Sequence, residues 1–192
     1  MTPMHPRALS THRLDLRPTT PADRRDLVAL EADPEVMRFL NGGLPVPDAG
    51  CPDADFLTPR GTEPEVLVAH ERGTGHFIGW FALFDDGWVD GLRTAELGYR
   101  LRRETWGQGF ASEVVCTLVT HAFEDLGFDR IRAQTMAVNL GSRRVLEKAG
   151  FHPIGTVVPR LAHAVAGAEA GEVLYERRRD PGHGSGSRIA TP

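Results

Sequence analysis

The sequence predicts one α/β domain in which several β-strands precede a long helix, and three observations carry that prediction. At 192 residues the chain is long enough for one hydrophobic core and too short for two full domains. Apolar residues recur with a period of two in some segments and of about 3.6 in others. Paired glycines, Gly107 and Gly109, lie where a strand gives way to the longest helix.

Local signals predict four elements before residue 64. Thr20 followed by Pro21 is an N-cap with proline at the first helical position. The segment 41–64 is so rich in Gly and Pro that we expect an irregular loop, which is a candidate wall of a substrate site. In order, the earlier elements are a flexible arm at 1–10, a strand at 12–17, a helix ending near residue 33 and a short helix at 34–40.

Three antiparallel strands are predicted in the middle of the chain. Gly73 and Gly75 interrupt two β-rich runs, which indicates a hairpin. Residues 85–87, Asp-Asp-Gly, followed by Asp-Gly at 90–91, are expected to form the next turn. The three strands are predicted at 66–70, 77–84 and 94–101.

The second half of the chain predicts two helices, each stopped by a glycine. Apolar residues from 111 to 126 follow a helical period, and Gly127 occupies the C′ position. Asn139 is expected to cap a second helix that stops at Gly150, with Phe151 placed for the contact of a Schellman motif. Further strands are predicted at 131–138, 154–158 and 173–177, and a disordered tail at 180–192.

Composition excludes several classes of function. The formal net charge is −4 and the one block of like charges is Arg177, Arg178 and Arg179, so neither nucleic acid nor a membrane is expected as a partner. Cys51 and Cys116 form no disulfide framework, and the 8 histidines show no metal-ligand spacing. Without a membrane span or a signal-peptide core, a soluble cytoplasmic protein is expected. The oligomeric state is left open, a homodimer included.

The turn at Gly107 and Gly109 predicts an anion site. Glycines let the backbone bend tightly and bring its N–H groups close to a bound group. A helix N-terminus carries four unpaired N–H donors and roughly half a positive charge, so a phosphate or pyrophosphate is the expected guest. No lysine lies near enough for a Walker loop, and Ser112 stands where a dinucleotide fingerprint needs its third glycine. Both of those nucleotide loops are therefore excluded.

Two linked motifs resemble one known family. Residues 106–113 read Trp-Gly-Gln-Gly-Phe-Ala-Ser-Glu, and residues 139–151 begin Asn-Leu-Gly-Ser and end Ala-Gly-Phe. Together they are similar to the GCN5-related N-acetyltransferases, and most similar to the branch that acetylates ribosomal-protein N-termini. The resemblance covers roughly residues 12–178. It implies a mixed, strongly twisted sheet of six to seven strands with helices on both faces, and acetyl-CoA as the acetyl donor.

The resemblance also implies which residues bind acetyl-CoA. The strand before the loop and the strand after the long helix would splay apart, with the pantetheine arm between them. The pyrophosphate would rest on the N–H groups of the glycine loop. Asn139 would face the pantetheine or a product-side water, or serve only as a helix N-cap. The implied cofactor-binding residues are Tyr99, Arg100, Leu101, Trp106, Gly107, Gln108, Gly109, Phe110, Ala111, Ser112 and Asn139.

The sequence departs from the family pattern at the residue that acts as the general acid. The tyrosine with which many members return a proton to the CoA thiolate falls at Leu146, which has no proton to donate. Ser142, one helical turn earlier, is the candidate acid that the branch resemblance implies. Its alternative role is only to support the start of the helix.

A carboxylate or histidine is needed to take a proton from the acceptor ammonium, since only the free amine attacks a thioester. Glu96 is the candidate, acting through water, and its alternative is a solvent-facing strand glutamate. His70 and His76 are less favoured, because a lone strand histidine is usually structural. A backbone N–H near Tyr99 or Arg100 is the expected oxyanion donor.

The acceptor is predicted only as a primary amine. A protein N-terminus, a small amine such as an aminoglycoside or polyamine, and an idle acyl-CoA-binding domain remain the alternatives. Four acidic residues of the 41–64 loop suit a cationic amine, although solvated loop acids explain them equally well. They are Asp48, Asp53, Asp55 and Glu63, and the aromatic residues that would form an apolar wall, or else belong to the core, are Trp80, Phe81, Trp88 and Tyr99.

Overall fold

The computed structural model describes residues 8–42, 44, 66–158 and 165–180. Most of the predicted loop at 41–64 and the predicted tail therefore lie outside the described residues. The strands are β1 (Leu9–Ser10), β2 (Leu14–Pro18), β3 (Val66–Glu71), β4 (Phe77–Val89), β5 (Leu92–Leu101), β6 (Arg130–Met136), β7 (His152–Val157) and β8 (Glu172–Arg178), and the helices are α1 (Arg24–Ala32), α2 (Pro34–Asn41), α3 (Phe110–Glu124) and α4 (Leu140–Lys148).

All of the described strands form one mixed sheet in the order β1-β2-β3-β4-β5-β6-β8-β7. Every neighbouring pair is antiparallel except β5 and β6, which are parallel. The prediction of six to seven strands is exceeded because β1 adds an eighth strand, with Leu9 opposite Leu16 and Ser10 opposite Asp15. The end of the predicted flexible arm is thus part of the sheet.

Of the turn predicted over 85–87 and 90–91, the first part is wrong and the second is confirmed. Residues 85–87 do not leave the sheet, because β4 continues through them and a register shift between Asp85 and Gly87 absorbs the extra residue as a bulge. The chain turns at Asp90 and Gly91, both with positive φ, 53° and 76°. Two consecutive residues with positive φ match the right-handed twist of a hairpin, so this pair makes the tight connection to β5.

The predicted ends of α4 are confirmed. The Asn139 side chain accepts a hydrogen bond from the Ser142 N–H at 3.1 Å, which satisfies one of the unpaired donors of the first turn. At the other end Gly150 has φ +81°, and the Phe151 N–H donates to the Leu146 carbonyl at 3.0 Å. This is the bond of a Schellman stop, and it fixes where the chain leaves the helix.

Helices cover both faces of the sheet, as expected. Along β3, Leu67 and Ala69 point into a core that α3 and α4 complete, whereas Val66 and Val68 point into a second core completed by α1 and α2. The side-chain period of two along a strand produces this division. We call these the α3–α4 face and the α1–α2 face. Within the described part of the chain, no helix is both long and apolar enough to cross a membrane.

Candidate active site

β5 and β6 separate half-way along β5. Their parallel pairing has only three registers, and the last joins Glu96 to Arg132. Beyond it β5 continues to Leu101 in antiparallel pairing with β4, while β6 continues to Met136 in pairing with β8. A gap therefore opens inside the sheet after Glu96, and we call it the β5–β6 gap. It is the splayed arrangement that the family resemblance implied.

Alternation along β5 decides which of its backbone groups point towards β6. Successive residues of a strand direct their N–H and C=O groups to opposite neighbours. Near one end of β5, the Arg93 carbonyl accepts from the Asp129 N–H, just before β6, at 2.8 Å. Just past the other end, the Arg102 N–H donates to the Ile78 carbonyl of β4 at 2.9 Å. The backbone N–H and C=O groups of odd-numbered β5 residues therefore point towards β6, and those of even-numbered residues point towards β4.

Beyond Glu96 the odd-numbered residues are Leu97, Tyr99 and Leu101, and two of them, Tyr99 and Leu101, are among the residues predicted to bind the co-substrate. Arg100 directs its backbone groups towards β4. Of the three residues predicted to pair with the pantetheine arm, Tyr99 and Leu101 therefore have backbone groups that can reach it. The indole N–H of Trp106 donates to the Leu101 carbonyl at 2.9 Å, so that carbonyl is occupied within the protein. The Leu101 N–H and both backbone groups of Tyr99 remain directed into the gap.

Tyr99 and Ser142 meet on the α3–α4 face of the gap. The Tyr99 ring stacks on Phe81 with centroids 5.8 Å apart, and its hydroxyl lies 2.8 Å from Ser142 Oγ. Burial raises the pKa of Tyr99 to about 12, so the phenol keeps its proton at neutral pH. The Ser142 carbonyl is a second acceptor at 3.4 Å from the phenol oxygen. Donation from Tyr99 to Ser142 leaves the serine hydroxyl proton free to point elsewhere.

The opposite side chains of β5 lie on the α1–α2 face. A Cβ at Gly98 would meet the Trp80 ring at 3.6 Å, and Trp80 belongs to the α1–α2 core. Arg100 forms an ion pair with Glu31 of α1, which also accepts from the Trp80 indole N–H at 3.0 Å. Burial lowers the pKa of Arg100 to about 10, which leaves it charged at neutral pH. Glu96, in phase with Gly98 and Arg100, shares this face.

Glu96 is a half-buried carboxylate at the start of the gap. Burial raises its pKa, and the negative charge of Asp86 raises it further. A carboxylate with a raised pKa is a better proton acceptor than an exposed glutamate. Because Glu96 lies on the α1–α2 face and Tyr99 on the α3–α4 face, their side chains flank the same gap from opposite sides of the sheet.

The glycine loop leads from β5 into α3 and is open to solvent. Gly107 and Gly109 have φ of +73° and +82°, and a Cβ at Gly107 would meet nothing within 4 Å. Gly109 is the N-cap of α3, so no side chain of the cap covers the first turn. The N–H groups of Phe110, Ala111 and Ser112 lie in that turn, where a helix supplies no acceptor of its own. The loop has the form predicted for a phosphate site.

Arg13 contacts this loop from a distant part of the chain, which the sequence did not indicate. It was predicted as part of the first strand, yet it lies in the turn before β2, against the start of α3. Its guanidinium lies over the Phe110 ring at 4.2 Å and donates to the Gln108 carbonyl at 3.0 Å. No local pattern links residues so far apart in the chain, so only a contact prediction would have found Arg13.

Leu146 lies in the core, and the two histidines lie on β3 and in the turn that follows it. Leu146 is 1% exposed and fills the core under α4, consistent with its having no proton to supply. His70 packs edge-on against Phe77, and its pKa is lowered by burial and then by the charge of Arg17. His76 is an exposed residue at the β3–β4 hairpin. Neither histidine lies on β5 or β6.

The residues proposed to surround the acceptor are only partly described. Trp80 and Phe81 are core residues, with 7% and 0% of their surface exposed, whereas Trp88 is 73% exposed. Tyr99 is the one of the four aromatic residues that contributes to the gap. The acidic residues Asp48, Asp53, Asp55 and Glu63 lie outside the described residues, as does Cys51.

Comparison with known proteins decides the family. A family model described as an acetyltransferase (GNAT) domain matches residues 13–152. The chain belongs to the GNAT family. It is 30% identical over 179 residues to FsC-acetyl coenzyme A-N(2)-transacetylase of Aspergillus fumigatus, an alignment that covers 90% of this chain and 76% of that protein. The resemblance noted in the two sequence motifs is thereby confirmed.

Solved structures share the fold. The ribosomal-protein-S5-alanine acetyltransferase of Vibrio fischeri superposes with a TM-score of 0.71 at 16% identity, covering 92% of this chain and 98% of that one. The spermidine N-acetyltransferase of Vibrio cholerae, in complex with CoA and spermine, superposes with a TM-score of 0.65 at 17% identity, covering 86% and 95%. At these identities the likeness establishes the fold and not the acceptor.

This GNAT protein is therefore an N-acetyltransferase, and the family uses acetyl-CoA. The exposed glycine loop and the backbone groups directed into the β5–β6 gap fit that co-substrate. Among the described residues, no three His, Cys, Asp or Glu side chains are grouped as metal ligands would be.

Replacement of Gly109 by valine tests the loop. We expect Gly109→Val to weaken CoA binding about tenfold or more, because a β-branched residue resists positive φ and would move the N–H groups of the first turn. The measurement is isothermal titration with CoA. Gly127→Val is the matched control, since Gly127 has φ +74° at the other end of α3. Unchanged CoA affinity in a folded Gly109→Val protein would contradict the assignment of the loop.

Proposed function

We propose that the enzyme transfers an acetyl group from acetyl-CoA directly to a primary amine, with the reacting thioester in the β5–β6 gap. The observation that carries the proposal is the arrangement around that gap. Glu96 lies on one face of β5, and the Tyr99–Ser142 pair lies on the other face. A base and an acid on opposite faces allow the acceptor and the thiol to approach the gap from different sides.

The donor would be held mainly by backbone groups. The Leu101 N–H and the Tyr99 carbonyl face the gap and can pair with the amides of a pantetheine arm. The N–H groups of Phe110, Ala111 and Ser112, with those of the glycine loop, are placed for the pyrophosphate, and the helix dipole favours the same negative charge. Gln108, Trp106 and Asn139 shape the surrounding backbone through the hydrogen bonds described above.

Glu96 is proposed as the base that prepares the acceptor. An ammonium group must lose a proton before its nitrogen can attack, and a carboxylate with a raised pKa accepts that proton directly or through one water. The charge on Glu96 also favours the approach of a cationic acceptor. Its position on the α1–α2 face supports approach of the acceptor from that face.

Ser142 is proposed as the acid that protonates the leaving thiolate. When the Tyr99 phenol donates to Ser142 Oγ, 2.8 Å away, the serine O–H is free to point into the gap. Tyr99 thus orients the Ser142 hydroxyl. After Ser142 Oγ gives up its proton, the phenol proton of Tyr99 stabilises the negative charge on that oxygen. The backbone N–H of Tyr99 faces the same gap and is the candidate oxyanion donor.

The residues at the gap support direct transfer in a ternary complex. A covalent acyl-enzyme would need a nucleophile beside the thioester. Cys116 lies exposed on α3, beyond the glycine loop. Among the described residues that border the gap, Tyr99 and Ser142 are hydrogen-bonded to each other rather than to a general base.

The acceptor we propose first is a protein N-terminus, with a small-molecule amine as the second candidate. The motif resemblance to the ribosomal-protein branch supports the first, together with the fold shared with a ribosomal-protein-S5-alanine acetyltransferase. The fold shared with a spermidine N-acetyltransferase supports the second. All of these acceptors present a nitrogen nucleophile, so the chemistry at the gap is the same.

A panel of acceptors distinguishes the two candidates. Peptides with a free N-terminus, the same peptides acetylated at the N-terminus, spermidine and an aminoglycoside are compared by release of the CoA thiol. We expect kcat/KM for the free peptides to exceed that for the small amines about tenfold or more. The reverse order would replace the proposed acceptor with a small molecule. Absence of turnover across the panel would contradict the proposed function.

Replacement of Glu96 by glutamine should lower kcat about 10²-fold and remove the acidic limb of the pH profile of kcat/KM. The raised pKa of Glu96 places that limb above the pH at which an exposed glutamate titrates. A raised pKa also means that the neutral form stabilises the fold at low pH and that this contribution is lost as pH rises through the folded pKa. Glu96→Gln should therefore not lower Tm at neutral pH, so lost activity cannot come from unfolding.

Glu124→Gln, at the exposed end of α3, is the control for Glu96→Gln and should leave both kcat and the profile unchanged. An unaltered acidic limb in Glu96→Gln would assign the base to another group.

Removal of the Tyr99 hydroxyl tests the acid. Tyr99→Phe keeps the ring packing on Phe81, and Ser142→Ala removes the donor itself. We expect each to lower kcat about 10-fold or more with little change in KM, and the double variant to be no worse than Ser142→Ala, because both act on one proton. Tyr175→Phe is the control, since its hydroxyl bonds to Arg143 and Glu147. Full activity of Ser142→Ala would remove Ser142 from the mechanism.

A further inference from the structure

We propose that Arg13 is a positioning residue for the diphosphate of acetyl-CoA: it holds the glycine loop in the shape that binds phosphate before the co-substrate arrives. The inference rests on the proposed donor site and adds to it a residue from a distant part of the chain. Arg13 acts through the loop and not by contact with the reacting atoms.

Glu113, in the first turn of α3, anchors Arg13. The Arg13 N–H donates to Glu113 Oε1 at 2.8 Å, and its Nε donates to Glu113 Oε2 at 2.7 Å. Thr11 Oγ1 also donates to Glu113 Oε1, at 2.5 Å. Burial alone would raise the pKa of Glu113, but the hydrogen bonds from Thr11 and Arg13 outweigh it and lower the pKa. The carboxylate is therefore charged at neutral pH and ties the turn before β2 to α3.

The free end of the Arg13 guanidinium holds the peptide between the two glycines. NH1 donates to the Gln108 carbonyl at 3.0 Å. In a trans peptide the C=O of one residue and the N–H of the next point in opposite directions. Fixing the Gln108 carbonyl on Arg13 therefore turns the Gly109 N–H away from Arg13. An N–H held in that direction is free of Arg13 and can donate to a phosphate bound at the loop.

Two further contacts limit how the loop can move. The Arg13 guanidinium lies over the Phe110 ring, whose side chain is 4% exposed, so the cation is held against a fixed surface. From the other side, the Gln108 side chain donates to the Glu104 carbonyl at 2.8 Å. Gln108 is thus fixed through both its backbone and its side chain.

A loop with paired glycines needs such restraints. Glycine loses more backbone freedom on ordering than any other residue, and a binding loop that is disordered beforehand loses that freedom on binding. Because Arg13 pairs with Glu113, the pair brings little net charge to the site. The benefit we expect is therefore pre-organisation, which shows in the affinity for the diphosphate and not in the chemical step.

The test compares two acetyl donors. Acetyl-CoA carries the diphosphate, whereas S-acetylpantetheine carries the same thioester and arm without it. We expect Arg13→Ala to raise KM for acetyl-CoA about tenfold while kcat and the use of S-acetylpantetheine stay unchanged. Arg13→Lys should not restore KM, because a single ammonium cannot replace a planar fork that holds a carboxylate and a carbonyl together.

Matched variants separate positioning from folding. Arg38 of α2 is an exposed arginine that likewise pairs with a glutamate, Glu35, and lies over a phenylalanine ring, Phe39, and Arg38→Ala should leave the use of both donors unaffected. Glu113→Gln should raise KM for acetyl-CoA in the same direction as Arg13→Ala. The two changes combined should be no worse than Arg13→Ala alone, because Glu113 acts on the loop through Arg13.

The inference would be overturned if Arg13→Ala raised KM equally for acetyl-CoA and S-acetylpantetheine. A normal KM for acetyl-CoA in Arg13→Ala would overturn it as well. Failure of the proposed donor site gives a different result, because the unaltered enzyme would then use S-acetylpantetheine as well as acetyl-CoA. A clear preference of the unaltered enzyme for acetyl-CoA together with an unaffected Arg13→Ala would reject only the role of Arg13.

Discussion

β5 keeps its pairing with β4 along its whole length but gives up its pairing with β6 after Glu96, and the site depends on this divergence. A strand inside a sheet normally has both edges satisfied, so backbone groups of a central strand that no neighbouring described strand pairs are exceptional. They are available because β6 follows β8 instead. Pairing of β6 with β8 as far as Met136 and of β5 with β4 as far as Leu101 holds the two sides of the gap apart.

The period of two along β5 then distributes the chemistry. Glu96 and Arg100 lie on the α1–α2 face, and Tyr99 lies on the α3–α4 face, where it meets Ser142. One strand thus carries the proposed base, the tyrosine that bonds to the proposed acid Ser142, and the backbone groups proposed to hold the pantetheine arm. Rigid elements hold such groups more closely than loops do. The glycine loop is the exception, and Arg13 and Glu113 restrain it from outside.

Much of the site followed from local sequence. Gly107 and Gly109 preceding an apolar-periodic helix predicted the open turn, Asn139 predicted a cap, and the phase of Glu96, Gly98 and Arg100 predicted a common face. The errors arose where pairing outweighed local preference. Asp-Asp-Gly at 85–87 has turn composition, yet β4 absorbs it as a bulge because both neighbouring segments pair with β5. Likewise Arg100 faces β4 because the sheet, and not the residue, sets the direction of its backbone.

By itself the sequence determined the glycine turn, the helix stops, the strand phases and, through two motifs, the family, since each depends on residues close together in the chain. Only the tertiary structure decided which β5 groups face the gap, that the phenol of Tyr99 reaches Ser142, and that Arg13 holds the loop between the glycines. These are contacts between segments separated by 43 and 95 positions. Their geometry comes from sheet register and helix packing, which local pattern does not specify.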